Sequence, residues 1–383
     1  MSVFDEIRPY NDGEVTGVLQ RLISDEEFLD SVIRFKFGAF GRVFKFALRP
    51  LVKLRLNKEV SRIHSVADFQ DNIKDYLIKA LDTSTSEITV SGIESLDKDS
   101  AYLFISNHRD IAMDPALVNL TIYQHGFSTL RIAIGDNLLT KPFTSDLMRL
   151  NKSFIVNRSA TAPREKLKAA RLLSNYIHHS VANDQENVWI AQREGRAKDG
   201  LDRTNSAILS MLAMSKQKPQ SLGDYISEAR VVPVSISYEY DPCDADKARE
   251  LYQLSQDGAY EKEEHEDVAS IARGITGFKG RVHLSFGSPL QGEFENAAAA
   301  TEALDKEILS NYQLHPSNCI AYEQLEGKSP RVMVADTNGL FIDHDFTEER
   351  RIFNARLLEI DEAHRPIFLA GYANPVRDRL SNQ

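Results

Sequence analysis

From about residue 87 the chain alternates short apolar runs with longer stretches whose apolar residues return every three or four positions. The runs EITVSGI (87–93), AYLFIS (101–106), LRIAIG (130–135), SFIVN (153–157), NVWIAQ (187–192), RVVPVSISYEY (230–240) and RVHLSFG (281–287) have the length and β-branched content of strands. Between most of them, 114–124, 163–182, 203–215 and 261–274 read as helices. This alternation predicts an α/β fold with a largely parallel sheet flanked by helices. Ahead of it, residues 13–30 and 66–81 read as helices, the second with Ser65 as its N-cap. After it, 296–315 and 346–377 also read as helical. Three consecutive parts are expected: an N-terminal helical segment at 1–82, an α/β domain at 83–325 and a helical tail at 326–383.

Charge singles out one stretch. Residues 31–60 hold eight Lys or Arg against the single acid Glu59, giving +7 in a chain of net charge −10. An acidic chain does not fit general nucleic-acid binding, and one basic segment implies a localised anionic partner. Read as a helix, 31–51 aligns Ile33, Phe37, Phe40, Phe44, Leu48 and Leu51 in one stripe, with Arg34, Arg42, Lys45 and Arg49 opposite. Pro50 is expected to kink or end it. Such a helix either docks on the core or lies in an anionic membrane interface. In the second case Phe37, Phe40 and Phe44 enter the acyl boundary, and Arg42, Lys45 and Arg49 sit near lipid phosphates.

No run is long and apolar enough to span a bilayer; the uncharged stretch 115–130 carries Asn119, Thr121, Gln124 and His125. The opening MSVFDEIRPYNDGEV lacks the pattern of a signal peptide. The two cysteines, Cys243 and Cys319, form no paired motif, which fits a reducing compartment. The expectation is a cytoplasmic protein, peripheral on the inner face of the membrane.

The run AYLFIS leads into Asn107-His108-Arg109-Asp110-Ile111-Ala112-Met113-Asp114-Pro115. The carboxyl end of a strand in an α/β sheet is where ligands bind, and Pro115 suits the first turn of a helix. An imidazole beside a carboxylate is a general-base arrangement: the carboxylate fixes the tautomer and stabilises the imidazolium formed when a hydroxyl proton is taken. The same residues also fit a capping cluster at a strand–helix junction. There is no GxSxG, GxxxxGK[ST] or HExxH and no Cys/His cluster, so no serine-hydrolase elbow, nucleotide loop or metal site is expected.

The His108 block resembles the Asn-His-x-x-x-x-Asp signature of the glycerol-3-phosphate and 1-acylglycerol-3-phosphate acyltransferase family. SFIVNRS (153–159), REGRAKDG (193–200) and VVPVSISY (231–238) resemble that family's later blocks in the family's order. The resemblance implies His108 as general base and Arg158 and Arg196 as contacts to the acceptor's phosphate. Glu194 would orient an arginine or bond the acceptor's hydroxyls, Gly195 would permit a tight loop, and Lys198 or Arg193 could stand in for Arg196. It further implies an acyl-CoA or acyl-carrier-protein donor, a glycerol-phosphate acceptor (glycerol 3-phosphate or its 1-acyl derivative) and no metal or other cofactor.

Two departures stand out. The family places four residues between His and Asp, whereas five separate His108 from Asp114, and the third block reads Glu194-Gly195-Arg196 rather than Glu-Gly-x-Arg. Asp114 is favoured as the partner of His108 because Pro-Ala-Leu follows it, with Asp110 as the alternative. Two other functions fit the same residues: an acyl-thioester or lipid hydrolase using His108 to activate water, and a non-catalytic membrane-binding protein.

Overall fold

The computed structural model describes residues 3–262, 266–335, 337 and 339–382; within these, the side chains of residues 35 and 39–43 are not described. The chain divides into two compact units, one made of residues 1–78 and 130–176, the other of 79–129 and 177–383. This division crosses the three consecutive parts expected from the sequence, since residues 130–176 cluster with the N-terminal helices and the C-terminal helices belong to the second unit.

All seven expected strands occur among the described residues: β1 (Thr85–Ser91), β2 (Leu103–Ser106), β3 (Arg131–Gly135), β4 (Ser153–Val156), β5 (Val188–Ala191), β6 (Val231–Tyr238) and β7 (Gly280–Phe286). In the second unit they lie in the order β1-β7-β6-β2-β5. The β1–β7, β6–β2 and β2–β5 pairs are parallel, and β6–β7 is antiparallel. In the first unit β3 and β4 pair in parallel. The sheet is therefore largely parallel, as expected. Every residue of β2 and β6 is buried, which is why both read as continuous apolar runs rather than alternating ones.

The helices of the second unit are α4 (Met113–Gln124), α7 (Ser206–Leu212), α8 (Leu222–Glu228), α9 (Asp244–Asp257), α10 (Glu266–Thr276), α11 (Ala297–Asn311), α12 (Pro316–Glu326), α13 (Thr347–Leu358) and α14 (Arg365–Ser381). Helix α11 packs on β6. The stretch 346–377 is thus two helices, because Pro366 opens a new first turn where its missing N–H costs nothing. Their core joins Phe353, Phe368, Tyr372 and Val376 to Tyr240 and Tyr312.

The first unit holds α1 (Asp12–Ser24), α2 (Glu26–Val60) and α5 (Pro142–Leu150), while α3 (Val66–Ser84) and α6 (Pro163–Ala182) begin in it. Residues 13–30 are not one helix. Asp25 ends α1, and its carboxylate caps α2 by accepting from the Phe28 N–H at 2.8 Å. Ser65 caps α3 as expected, accepting from the Asp68 N–H at 3.0 Å.

The basic segment departs from the single helix expected. The helix breaks at Gly38, whose φ of 55° suits a residue without Cβ, and again at Phe44, whereas Pro50 lies within the helix that resumes. The two arms fold together around Leu29, Ile33, Leu48 and Val52. Arg49 grips both oxygens of Asp30 at 2.6 and 2.7 Å and reaches Glu26 at 2.8 Å; Lys45 meets Asp30 at 3.3 Å. Lys45 and Arg49, expected at lipid phosphates, therefore neutralise acids of the other arm. Phe37 and Phe44 are exposed, as are Phe46, Leu51 and Leu54. The side chains of Phe40 and Arg42 lie outside the described residues. Among the described residues no helix is long and apolar enough to cross a membrane.

Candidate active site

Strand β2 ends at Ser106, and the chain turns at once into the loop that carries His108. Asn107 anchors this turn from beneath. It is fully buried, its amide donates to Asp202 at 3.1 Å and to the Ile236 carbonyl at 2.9 Å, and its oxygen accepts from the Ile236 N–H at 2.8 Å. The His108 side chain keeps 13% of its surface exposed. Its Nδ1 lies 2.9 Å from Asp114 Oδ2, and the Trp189 ring packs edge-on against it with centroids 6.0 Å apart.

Asp114 has no exposed side-chain surface. Oδ2 also accepts the Arg109 and Asp110 N–H groups at 2.6 and 2.9 Å, and Oδ1 accepts the phenol of Tyr238 at 2.7 Å. Every other group that meets this carboxylate donates to it, and a hydrogen bond from the ring to Oδ2 places the proton of the His108 ring on Nδ1. Nε2 then carries a free lone pair, and no hydrogen bond engages it among the described residues.

Asp110 has a different role. Its Oδ1 accepts the Ala112 and Met113 N–H groups at 2.9 and 2.8 Å, capping the start of α4. Burial and then the Asp114 charge push its carboxyl above the usual range. The extra residue between His108 and Asp114 is thus taken up by an Asp110-capped turn, and Asp114, not Asp110, partners the imidazole. The Asp110 carboxylate also lies against α10 at Gly274, where a Cβ would come within 2.2 Å of Oδ2.

Arg109 is locked away from solvent. Its guanidinium meets Asp202 through Nε at 3.1 Å and Nη2 at 2.6 Å, donates to the Gly200 carbonyl at 3.2 Å and lies over the Tyr312 ring. Burial works against its charge, but Asp202, Tyr312 and Asp241 together outweigh burial and raise its pKa. The Lys247 ammonium bonds the Arg109 carbonyl at 2.7 Å and pairs with Asp241. Although Asp241 is buried, that ammonium holds its carboxyl below the usual range.

The loop after β5 reaches the same place. The Ala197 N–H donates to the His108 carbonyl at 2.7 Å, so 193–200 lies beside the histidine turn. Gly195 and Gly200 adopt φ of 73° and 78°, and a Cβ on Gly200 would meet the Gly371 carbonyl oxygen at 2.0 Å. Arg196 Nη2 donates to Ser270 at 3.3 Å, while its buried Nη1 has no hydrogen-bond partner among the described residues. Lys198 pairs with Glu250, and Glu194 is exposed. Arg158 belongs to the first unit, where it follows β4, is exposed, and has its N–H bonded to Asp136 at 3.0 Å.

Sequence reasoning missed Asp202, Lys247 and Tyr238. Asp202 follows the 193–200 block by two residues, and a polar tyrosine closing an otherwise buried strand was the available signal for Tyr238. Both cysteines are buried, and burial pushes both thiols up, so neither is disposed to act as a nucleophile.

Residues 87–237 match the protein-family model described as Acyltransferase. No curated protein matches the sequence. Among solved structures, the chain is similar to the 1-acyl-sn-glycerophosphate (LPA) acyltransferase PlsC from Thermotoga maritima, at 16% identity over 78% of this chain and 92% of that one, with a TM-score of 0.36. It is similar as well to chloroplast FtsY from Physcomitrella patens, at 17% identity over 79% of this chain and 95% of that one, with a TM-score of 0.21. At those scores neither likeness carries the assignment, which rests on the family match. That span, which includes His108 and Asp114, is where the chain is similar to the acyltransferase family.

Proposed function

We propose that the enzyme moves a fatty acyl group from a thioester, acyl-CoA or acyl-carrier protein, to a hydroxyl of glycerol 3-phosphate or its 1-acyl derivative, in phospholipid biosynthesis. The observation that carries the reading is the His108 Nδ1–Asp114 bond, which leaves Nε2 free on a partly exposed ring. Nε2 takes the hydroxyl proton as the oxygen attacks the thioester carbonyl. The carbon–oxygen bond forms, the carbon–sulfur bond breaks, and the sulfur leaves as thiolate or takes the proton back from the imidazolium. A thiol of pKa roughly 8.5 needs little acid assistance. With both substrates held together, positioning replaces a covalent intermediate.

Arg158, exposed after β4, and Arg196, with an unpartnered Nη1, are the residues this reading gives to the acceptor's phosphate. The test is a purified-protein assay with a long-chain acyl thioester, with and without glycerol 3-phosphate or 1-acylglycerol 3-phosphate, following thiol release and lipid product. Release is expected to depend on the acceptor; release that ignores it belongs to a hydrolase and overturns the reading. Arg158→Ala is expected to raise the acceptor KM by roughly tenfold with a smaller change in kcat. An unchanged KM removes Arg158 from the phosphate site.

An anionic membrane surface is the further partner in this reading. Its support is the exposed Phe44, Phe46, Leu51 and Leu54 of α2 (49, 74, 64 and 71%), on the same segment as the exposed bases Arg34, Lys53 and Lys58. The double substitution Phe44→Glu/Phe46→Glu is expected to abolish co-sedimentation with phosphatidylglycerol-containing vesicles. Undiminished sedimentation would remove α2 from the membrane contact.

A further inference from the structure

His108 Nδ1 and two backbone N–H groups occupy one oxygen of Asp114, and the phenol of Tyr238 occupies the other. Tyr238 ends β6, the strand paired with β2, from which the His108 turn springs. It lies one residue beyond the family match, so nothing in that match assigns it a role. Burial and then the charges of Asp114 and Asp110 push the phenol pKa well above its ordinary value, which favours the protonated, donating form. A buried hydroxyl needs an acceptor in any protein, and Asp114 would satisfy that need alone. The placement does more. The other donors to Asp114 come from the His108–Asp110 turn itself, whereas Tyr238 ties the carboxylate to the sheet.

We propose that Tyr238 is a positioning residue for acyl transfer, which fixes the orientation of the Asp114 carboxylate and, by drawing charge from it, sets the basicity of His108. The inference rests on the reading of His108 as the base. A donor bond at Oδ1 leaves less negative charge facing Nδ1–H, so the imidazolium is less stabilised and the ring is free as a base at lower pH. The other charges around the pair are Asp110 on the turn, Asp241 and Lys247 on the β6–α9 side, and Arg109, Arg196 and Asp202 from the adjoining loops. Substitution of Tyr238 changes none of these groups, so a shift in the pH profile reports the phenol.

In full-length Tyr238→Phe, kcat is expected to fall roughly tenfold, with both KM values within about twofold of wild type. The acid limb of kcat/KM against pH is expected to move upward by about half to one unit. 3-Fluorotyrosine installed at position 238 is a stronger donor and is expected to move that limb the other way; it also decides the matter if the phenylalanine variant does not fold. A folded Tyr238→Phe protein with the wild-type pH profile overturns the proposal, as does a fluorotyrosine enzyme whose limb stays put or moves upward. His108→Ala in the same assay separates the two levels: a wild-type rate there means the base assignment has failed, whatever Tyr238 does.

Discussion

His108→Ala is expected to lower acyl transfer by about 10²–10⁴-fold while the protein stays folded. The loss follows from removing the ring whose Nδ1 is held by Asp114 and whose Nε2 is free among the described residues. The fold should survive because Asp114 keeps three donors, the Arg109 and Asp110 N–H groups and the Tyr238 phenol, and because the His108 carbonyl still receives the Ala197 N–H. Saturating turnover and a thermal melt, measured side by side, check both halves. Residual activity within tenfold of wild type would remove His108 as the base. The two aspartates sharpen the result. Asp114→Asn replaces the carboxylate that fixes the ring and should approach the alanine variant. Asp110→Asn keeps an oxygen that can cap α4 and should cost far less. Equal losses would mean that the turn, rather than the pair, is what matters.

Asp202→Ala is expected to destabilise the enzyme by about 3–5 kcal/mol, because it strands a buried guanidinium. Asp202 and Arg109 expose 2% and 10% of their side chains, and the contact is made through Nε and Nη2 together. The same carboxylate also accepts the Asn107 amide, so its removal takes an acceptor from both side chains beneath the histidine turn. Removing Glu348 from its exposed pair with Arg351 is the control, with an expected change of less than about 1 kcal/mol. Urea unfolding midpoints measure both. A loss near that of the control would show that water or another acceptor reaches Arg109. Arg109 is therefore a residue of the scaffold beneath the histidine turn.

The strands and the position of His108 were legible because buried β-branched runs ending in a polar turn have few other uses. What could not be read depends on partners distant in sequence. Helix α9, DADKARELYQLSQD, has too few apolar residues to announce itself, and its role appears once Lys247 meets the Arg109 carbonyl. The stripe over 31–51 was misread because periodicity assumes an unbroken helix, and Gly38 breaks it; Lys45 and Arg49 then find Asp30, an acid just outside the basic stretch. Asp114 was favoured over Asp110 for the Pro-Ala-Leu that follows it, a local signal that marks a helix start but not which carboxylate points inward. Tyr238 lay within a quoted motif, yet its hydroxyl has meaning only opposite Asp114.

The bare backbone at Gly274 makes a demand on evolution. A single methyl there would collide with the carboxylate that caps α4, so the histidine turn and a helix some 160 residues downstream cannot drift independently. Transplanting the 107–115 loop into a related scaffold should therefore fail unless the recipient offers a bare Cα at the matching point of its own α10. The motif that looks local in the sequence is a two-part assembly, and a graft has to carry both parts.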